Sequence, residues 1–427
     1  MKRALGKFET AAALSGEHAV WNIVGVLLLE GIPSPDIVRQ ALDNLQERHP
    51  FLRTRLILDG GRHYFESEDV PAIPLNVIDR AGDDHWAEIV EDNLNFKFDH
   101  PTGPLLQCAF ITDGQHKGEL VVAAQHSIVD GTSIKNLLSE LMSLCVTIDT
   151  GSEVEGFESL TPLPPVEDFF PEGFMGFDLK RKTLGYFLAQ MGDEFSYQMK
   201  LRGKRKPPIN LDVRGRVLPM RTPSDLTASI VRRARKERVT LNGVVNAAVL
   251  LSVQKHLYDG EAMPFRYMSM ADLRPYVEPP APENEVACYI APLRYTIHVF
   301  ADDNMWSLAQ RINDQISAST KRGDKFLASV MGEQFMRMTF GMKKFRMATT
   351  AISYGGASKL EPEFGPYKIT GVHGFVSNFG LGPEFSGQVS IYNDELWWDM
   401  LYLDADMDRE VAQRIADEIS EILEFKS

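Results

Sequence analysis

Three residues whose chemistry is useful in catalysis fall within six positions of the stretch AAQHSIVDGTS, residues 123–133. They are His126, Asp130 and Gly131. An imidazole, with an unperturbed pKa of about 6.5, acts as a general base near neutral pH. The carboxylate four residues on either hydrogen-bonds that imidazole or turns away and pins the loop through a cation. Glycine permits close backbone approach, and its N–H, at a helix start, suits an oxyanion.

A structural role for this motif has to be weighed beside the catalytic one. Asp-Gly is a common turn dipeptide, and a single histidine next to a turn is more often structural than catalytic. The context favours chemistry, because an apolar strand precedes the motif and a helical pattern follows it. In α/β folds ligands commonly bind at the carboxyl ends of strands.

The elements that position the motif are read from hydrophobic periodicity. PLLQCAFITD and GELVVAAQ are apolar runs separated by the polar stretch GQHKG, which predicts a hairpin whose second strand ends at Gln125. The helix after the motif is predicted from an apolar stripe, with Thr132 or Ser133 as its N-cap. The stripe consists of Ile134, Leu137, Leu138, Leu141 and Cys145.

Similar strand and helix patterns recur along the chain and predict an α/β protein in two parts. VWNIVGVLLLE predicts a buried strand, and IVRQALDNLQERH predicts an amphipathic helix after it. Between about residues 146 and 220 the pattern breaks into segments rich in Pro, Gly and charge. We therefore expect an N-terminal subdomain at residues 1–175 that carries the motif, a crossover at 176–220 and a C-terminal subdomain at 221–427.

Finer patterns in the C-terminal part predict its elements. SDLTASIVRRARKERV and TLNGVVNAAVLLSVQKHL are expected to form helices, and PFRYMSMADLR and EVACYIAPLRYTIHVF to form strands. GQVSIYNDELWWDMLYLD is expected to form a hairpin about NDE, followed by the amphipathic helix DREVAQRIADEISEILEF.

Composition limits the classes of function. The 427 residues include 45 Lys and Arg against 59 Asp and Glu, a net charge of −14, so the average surface repels nucleic acid and anionic lipid. A nucleic-acid partner would need a strong local basic patch. Three cysteines without CxxC spacing favour a reducing, cytoplasmic compartment. The longest apolar runs fall short of the roughly 20 residues that a membrane span needs.

Other chemistries lack their motifs. HExxH, a P-loop and a GxSxG elbow are missing from the sequence, and no Rossmann glycine pattern follows a strand. We therefore predict no metal, no nucleotide hydrolysis and no permanently bound cofactor.

The sequence resembles the HxxxD acyltransferase superfamily over nearly its whole length. This superfamily includes the chloramphenicol acetyltransferases, condensation domains of nonribosomal peptide synthetases, plant BAHD acyltransferases, and polyketide-associated and alcohol acyltransferases. The resemblance is carried by ALDNLQERHPFLRTRL, which matches the family pattern ALxxLxxRHPxLRT, by GPLLQCAFI, by QHSIVDGTS and by MSMADLRP. The match of ALDNLQERHPFLRTRL, which runs from a predicted helix into a strand, is more specific than the short HxxxDG pattern.

The resemblance implies a role for each motif residue. His126 is implied to be the general base that deprotonates an acceptor hydroxyl or amine, which then attacks a thioester carbonyl and releases the thiol. Asp130 is implied to point away from the substrate and to pair with Arg274, which fixes the loop. Gly131 is implied to keep the loop open to substrate. The activity expected is acyl transfer without an acyl-enzyme.

The resemblance also implies a fold and co-substrates. The fold is two chloramphenicol-acetyltransferase-like subdomains, a pseudo-dimer with a tunnel at the interface that donor and acceptor enter from opposite faces. The donor is an acyl-CoA or the phosphopantetheine thioester of an acyl carrier protein. We expect a monomer with a small-molecule acceptor.

Two features depart from the family pattern. Peptide-synthetase condensation domains usually carry two adjacent histidines, whereas the first position here is Gln125, which favours a stand-alone acyltransferase. The second family element has two candidates. ISYGG, with Ser353, Tyr354 and Gly355, has the better sequence order and is preferred, while SNFG at Ser377 has the better spelling.

Two alternatives to a stand-alone acyltransferase remain open. One is a condensation-like domain fed only by carrier proteins, and the other is a non-catalytic module that binds a carrier protein or lipid. A group of basic residues would suit coenzyme A phosphates or an acidic carrier protein, although a solvated loop explains them as well. These residues are Lys180, Arg181, Lys182, Lys204, Arg205 and Lys206.

Overall fold

The computed structural model describes residues 1–152, 158–202, 204, 209–282, 284–342 and 346–426, with side chains up to residue 424. The strands are β1 (Lys2–Ala4), β2 (Asn22–Glu30), β3 (Arg55–Asp59), β4 (Arg62–Glu66), β5 (Leu75–Asp79), β6 (Leu106–Thr112), β7 (Lys117–Gln125), β8 (Gly215–Thr222), β9 (Met263–Asp272), β10 (Ile290–Val299), β11 (Thr350–Ala357), β12 (Glu363–Phe364), β13 (Tyr367–Val376), β14 (Phe385–Tyr392) and β15 (Glu395–Leu403).

The helices alternate with these strands. They are α1 (Lys7–His18), α2 (Pro35–Arg48), α3 (His85–Leu94), α4 (Gly131–Asp149), α5 (Gly176–Lys200), α6 (Ser224–Glu237), α7 (Leu241–Leu257), α8 (Met305–Arg322), α9 (Asp324–Met342) and α10 (Arg409–Lys426). The predicted α/β class is confirmed.

The chain divides into two units. The first unit comprises Met1–Phe169, Arg274–Tyr289 and Lys359–Ser377, and the second comprises Phe170–Leu273, Ile290–Ser358 and Asn378–Ser427. The predicted two-part construction is confirmed. The units are assembled from segments that are distant in sequence, whereas the sequence analysis drew contiguous ranges.

The first unit is built on a six-stranded sheet in the order β12-β13-β2-β7-β6-β5. All of its neighbours are antiparallel except the parallel pair β5 and β6. A smaller antiparallel sheet has the order β1-β4-β3. The C-terminal strand β13 joins the first unit because it pairs with β2 along an edge that would otherwise leave backbone groups unpaired.

Helix α4 lies against the first sheet, and a glycine allows it to approach closely. The stripe predicted from Ile134 to Cys145 is buried as expected. A Cβ atom on Gly25, in β2, would lie 2.8 Å from Leu138 Cδ1 and 3.0 Å from Ile134 Cγ1. Because glycine has no Cβ atom, the helix packs directly on the strand that neighbours β7.

The second unit contains another six-stranded sheet, in the order β10-β9-β11-β14-β15-β8. Strand β11 runs parallel to both neighbours, and the other pairs are antiparallel. The predicted NDE hairpin is confirmed, with Asn393 and Asp394 at φ values of 49° and 62° between β14 and β15. Positive φ at both central residues is typical of a tight hairpin turn. Helix α7, capped by Thr240, is almost entirely buried in this unit.

One predicted strand is shorter in the structure. The run EVACYIAPLRYTIHVF forms a strand only from Ile290 onward. The backbone of the preceding residues bonds elsewhere, since the Ala287 N–H donates to the Ser133 hydroxyl and the Tyr289 N–H donates to Asp130. These bonds replace the sheet ladder that the apolar pattern predicted.

Candidate active site

His126 lies in the turn that connects β7 to α4, directly after the last strand residue. Its backbone N–H donates to the Trp21 carbonyl at 3.0 Å, which extends the pairing of β7 with β2 by one residue. The His126 side chain is buried, with 4% of the residue exposed. The rings of Trp21 and His126 are 5.3 Å apart and inclined at 60°. The backbone hydrogen bond to Trp21 and the contact with the Trp21 ring therefore fix the position of the imidazole.

The hydrogen bond of His126 Nδ1 determines which ring nitrogen has a free lone pair. Nδ1 is 2.8 Å from the Val129 carbonyl oxygen. A carbonyl oxygen only accepts, so Nδ1 carries the hydrogen in this bond. In the neutral ring Nε2 then has the free lone pair. Nε2 is therefore the ring nitrogen suited to take a proton from another molecule.

Burial sets the protonation state of this ring. The pKa of His126 is lowered by desolvation, although the nearby Asp130 carboxylate and the Val129 carbonyl act in the opposite direction. A pKa below the ordinary value of about 6.5 leaves the imidazole neutral at neutral pH. The turn thus holds the histidine in its basic form.

Asp130 is turned away from the imidazole nitrogen and is the N-cap of α4. Its Oδ1 accepts from the Ser133 N–H at 2.9 Å, and its Oδ2 accepts from Arg274 Nη1 at 2.6 Å and from the Tyr289 N–H at 2.9 Å. The expected cap, Thr132 or Ser133, is wrong because the helix begins at Gly131 and Asp130 receives the N–H of Ser133. Its carboxylate therefore stabilises the turn and the helix start together.

The Asp130–Arg274 ion pair is almost completely buried, with 3% and 2% of the two side chains exposed. Burial alone would raise the pKa of Asp130, but the charge and hydrogen bond of Arg274, together with the two backbone N–H groups, outweigh it and lower the pKa. The carboxylate is ionised at neutral pH. The structure brings Asp130 and Arg274 together as the resemblance implied.

Ser133 extends this network. Its hydroxyl oxygen accepts from Arg274 Nη2 at 2.9 Å and from the Ala287 N–H at 3.0 Å, and the hydroxyl donates to the Ala287 carbonyl at 2.8 Å. The segment around Ala287 is therefore fixed to the first turn of α4. Sequence analysis considered Ser133 only as a cap and missed this role, because nothing in the local sequence relates it to a segment 154 positions away.

Cys288 and Trp21 are two further neighbours of His126 that sequence reasoning missed. Cys288 Sγ is 3.7 Å from His126 Nδ1, and burial raises the pKa of this thiol well above its ordinary value. The thiol is therefore protonated, which makes it a poor nucleophile. Trp21 precedes β2 in the sequence and has no motif of its own.

Gly131 is half-buried and lies beside open space. A Cβ atom built on it would meet no described atom within 4 Å outside its own chain neighbours and helix backbone. Gly131 is also the first residue of α4, where backbone N–H groups lack intrahelical acceptors. The first N–H groups of α4 are therefore of the kind that stabilises an oxyanion, and a side chain at Gly131 would occupy open space beside them.

Gln125, which occupies the position of the first family histidine, has a local structural role. Its side-chain amide donates to the Ala12 carbonyl at 2.9 Å, and its Oε1 accepts from the Ser127 N–H at 2.6 Å. These bonds hold the residue between α1 and the His126 turn.

The two candidates for the second family element lie in different units. Ser353, Tyr354 and Gly355 lie in β11 of the second unit. Ser377 follows β13 in the first unit, where its N–H donates to the Asn22 carbonyl and its hydroxyl donates to the Leu94 carbonyl at 2.6 Å. Asn22 adjoins Trp21, which accepts the N–H of His126. Ser377 is therefore at the same end of the first sheet as the histidine.

Two of the predicted basic residues have local partners within their own unit. Lys182 donates to a backbone carbonyl at 2.6 Å, and Lys204 pairs with Glu261 at 2.8 Å. Arg205 and Lys206 lie outside the described residues.

The described residues contain no group of three or more His, Cys, Asp or Glu side chains arranged to hold a metal ion. In the same part of the chain no helix has the length and apolar character required to cross a bilayer.

Comparison with known protein families gives two matches. The profile described as "Condensation domain" matches residues 10–261, more than half of the chain. The profile described as "Phthiocerol/phthiodiolone dimycocerosyl transferase C-terminus" matches residues 213–351.

Curated relatives are similar over part of their length. A phthiocerol/phthiodiolone dimycocerosyl transferase of Mycobacterium ulcerans is 25% identical over 291 residues, 65% of this chain and 64% of the relative. The corresponding protein of Mycobacterium sp. strain JLS is 28% identical over 210 residues, 48% of this chain and 49% of the relative. The chain thus spans about half to somewhat under two thirds of the length of these relatives.

Solved structures share the fold over nearly the whole chain. Trichothecene 15-O-acetyltransferase from Fusarium sporotrichioides superimposes with a TM-score of 0.79 at 15% identity, covering 99% of this chain and 95% of that one. Polyketide synthase associated protein 5 from Mycobacterium tuberculosis gives 0.69 at 17% identity, with both chains fully covered. The starter condensation domain of rhizomide synthetase, in complex with C8-CoA, gives 0.66 at 16% identity, covering 99% and 94%.

The expected resemblance is therefore confirmed: this chain belongs to the condensation-domain family, within the superfamily of chloramphenicol-acetyltransferase-like acyltransferases.

Proposed function

We propose that this protein is an acyltransferase that moves an acyl group from a thioester donor to a hydroxyl or amine acceptor, with His126 as the general base. The observation that carries the proposal is the hydrogen bond from His126 Nδ1 to the Val129 carbonyl, which leaves Nε2 as the basic nitrogen. The lowered pKa of His126 supports the same role. Membership of a family whose relatives include named transferases is consistent with it.

In the proposed reaction the acceptor O–H or N–H gives its proton to His126 Nε2 as its oxygen or nitrogen attacks the thioester carbonyl carbon. The carbonyl π electrons move to oxygen and form a tetrahedral oxyanion. Collapse of this species re-forms the C=O bond and breaks the C–S bond. The departing thiolate takes the proton from Nε2, so the histidine is regenerated and no acyl-enzyme is formed.

The neighbouring residues have supporting roles in this proposal. Gly131, at the start of α4 and beside open space, is proposed to present its N–H to the oxyanion. Asp130 and Arg274 are positioning residues, because they hold the turn and the helix start without reaching Nε2. Ser377 is better supported as the start of the second family element than Ser353, because its bonds to Asn22 place it in the same unit as His126.

The donor is proposed to be an acyl-CoA or an acyl carrier protein thioester. The neighbour solved with C8-CoA bound supports coenzyme A, whereas the condensation-domain profile supports a carrier protein. We further propose a cytoplasmic location, supported by three buried cysteines that form no disulfide with one another. The monomeric state and the tunnel implied by the resemblance stay predictions.

The test is a matrix of donors and acceptors. The purified chain is mixed with acyl-CoAs of increasing length or with acyl carrier protein, with and without alcohols and amines, and free thiol and acylated product are measured. Acceptor-dependent thiol release with equimolar product supports the proposal. Thiol release from no donor, including carrier-protein thioesters, would instead favour a non-catalytic binding module.

The direct-transfer step has its own test. The protein is incubated with donor alone and its intact mass is measured. The expected spectrum shows the unmodified mass, because transfer goes straight to the acceptor. A stable mass increase of one acyl group that disappears on addition of acceptor would establish an acyl-enzyme and contradict this step.

A further inference from the structure

Helix α5 exposes a row of large apolar side chains to solvent. Phe177 and Phe195 are 79% and 71% exposed, Leu184 and Leu188 are 60% and 61% exposed, and Met199 is 46% exposed. We call these five residues the α5 stripe. Exposed single apolar residues are ordinary on protein surfaces, whereas a contiguous group marks an interaction site. Of the fourteen large apolar side chains that are exposed in the described chain, these five and Met175 fall within 25 positions.

The spacing of the α5 stripe places it on one face of the helix. At 3.6 residues per turn, the five positions fall within an arc of about 60° and extend about 33 Å along the axis. Gly185 and Gly192 lie close to the same face, and a Cβ atom on either would meet no described atom within 4 Å. No residue of α5 is buried. The stripe is therefore a long, raised apolar ridge.

The charges beside this ridge are mostly positive. Between residues 176 and 202 the exposed charged residues are Lys180, Arg181, Lys200, Arg202 and the acid Asp178, which lies 3.6 Å from Arg181. The side chain of a second acid, Asp193, is 41% exposed. Two of the basic residues lie near the first turns of the helix and two at its end. The whole chain carries a net charge of −14. With four exposed basic residues against two acids, the α5 segment has a sign opposite to that of the average surface, and attraction to a polyanion requires such a local basic excess.

The distribution of charge on α5 indicates which kind of partner binds the α5 stripe. A second copy docked through the same ridge would set Lys and Arg against Lys and Arg, which is unfavourable where water is excluded. A globular protein partner would have to supply a groove to match a ridge. A bilayer surface needs no groove, and it takes up helices of this length that combine an apolar face with Lys, Arg and Phe.

We propose that α5 docks the protein on a bilayer surface that contains anionic phospholipid. The α5 stripe lies in the boundary between headgroups and acyl chains, and the four basic residues contact lipid phosphates. The helix lies on the membrane and does not cross it. This proposal does not rest on acyl transfer, and its test measures binding alone.

The test is flotation of the full chain with vesicles of two compositions, phosphatidylcholine alone and equal parts phosphatidylcholine and phosphatidylglycerol. We expect the protein to float with the anionic vesicles and to remain in solution with the neutral ones. Raising the salt concentration should release it, because ions screen the attraction. Failure to float with anionic vesicles, or equal flotation with both compositions, would overturn the proposal.

Two pairs of substitutions assign the binding to α5. Lys180→Gln with Arg181→Gln should weaken partition into anionic vesicles about 30-fold, since each basic residue near such a surface contributes about fivefold. Leu184→Gln with Leu188→Gln should abolish flotation. The matched control is Leu58→Gln with Val77→Gln, two apolar side chains of similar exposure outside α5. It should float like the unsubstituted protein.

Folding and self-association are checked on the same samples. All variants alter exposed positions, so circular dichroism spectra and melting temperatures should match those of the unsubstituted protein. Sedimentation velocity decides whether a second copy covers the ridge. A dimer that becomes monomeric on substitution of Leu184 and Leu188 would make α5 a self-interface and overturn the lipid assignment, as would control variants that lose binding equally.

Discussion

The turn between β7 and α4 in the first unit and the turn between β15 and α10 in the second are constructed in the same way. Each follows the second strand of an antiparallel hairpin and leads into a helix. Asp130 lies five residues after Gln125, the last residue of β7, and Asp408 lies five residues after Leu403, the last of β15. Asp130 accepts from the Ser133 N–H at 2.9 Å, and Asp408 accepts from the Val411 N–H at 2.8 Å.

The two turns differ in what surrounds the capping carboxylate. Asp408 is exposed, and the position that corresponds to His126 is Asp404, also exposed. Asp130 is buried with Arg274, and His126 is buried beside it. A cap needs neither burial nor an arginine, since a short polar side chain in contact with water is sufficient. The imidazole and the buried ion pair are therefore additions to a common turn, and they are the reason for proposing the first turn as the functional one.

The largest effect is expected from the position that differs most between the turns. His126→Ala should reduce kcat/KM for acyl transfer by about 10² to 10⁴, the usual contribution of a general base. Asp404→Ala, at the corresponding position of the second turn, should leave the rate unchanged. Steady-state rates with the best donor and acceptor measure both. Near-native activity of the His126 variant would end its assignment as base and remove the proposed functional difference between the turns.

The second largest effect is expected on stability, from breaking the buried ion pair. Arg274→Ala leaves the Asp130 carboxylate buried without its partner, which typically costs about 3–5 kcal/mol of stability. Arg216→Ala removes a half-exposed partner of Asp404, at 4.0 Å, and should cost less than about 1 kcal/mol. Urea denaturation measures both.

A double variant separates the burial of a charge from the loss of packing. In Arg274→Met with Asp130→Asn no unpaired carboxylate remains, so part of the stability lost in Arg274→Ala should return. Equal free energies of unfolding for Arg274→Ala and Arg216→Ala would contradict the view that the first turn depends on its ion pair.

The third prediction concerns pH. The proposed base is the neutral form of His126, and burial lowers the pKa of this residue below the ordinary value. The logarithm of kcat/KM should therefore be flat above about pH 6.5 and fall below the lowered pKa with a slope of one, which is tenfold per pH unit. In Asp130→Asn the midpoint should move to still lower pH, because the Asp130 charge raises the pKa of His126. A midpoint above 6.5 or a shift in the opposite direction would contradict this assignment.

Sequence patterns were sufficient for the local elements of both turns. Hairpins, strand ends and helix stripes depend on neighbours in the sequence, and the strands before each turn were expected from their apolar runs. The pairing of Asp130 with Arg274, 144 positions away, came only from the resemblance to a known family. No periodicity indicates which of 45 basic residues reaches a given carboxylate.

Two kinds of feature were not predicted from the sequence. In one, several neighbouring residues are equally suited to the same role; in the other, the bonding partner is distant in the sequence. Asp130, Thr132 and Ser133 are all good capping residues, and only the start of α4 at Gly131 selects the first. Val286–Tyr289 is apolar enough for a strand, yet Asp130 and Ser133 take its backbone groups. The pairing of β13 with β2 joins residues more than 300 positions apart, a choice that local propensity does not encode.

The smallest effect is expected from removing the cap in the second turn. Asp408→Ala loses the bond to the Val411 N–H and should cost about 1 kcal/mol of stability, because water replaces the lost acceptor. Acyl transfer should not change. Asp408→Asn keeps an oxygen acceptor and should recover most of the loss, whereas Asp130→Asn also leaves Arg274 buried without its anion and should destabilise the protein more. Equal losses for the two asparagine variants would mean that both aspartates act only as caps, so that the structural difference between the turns would have no energetic counterpart.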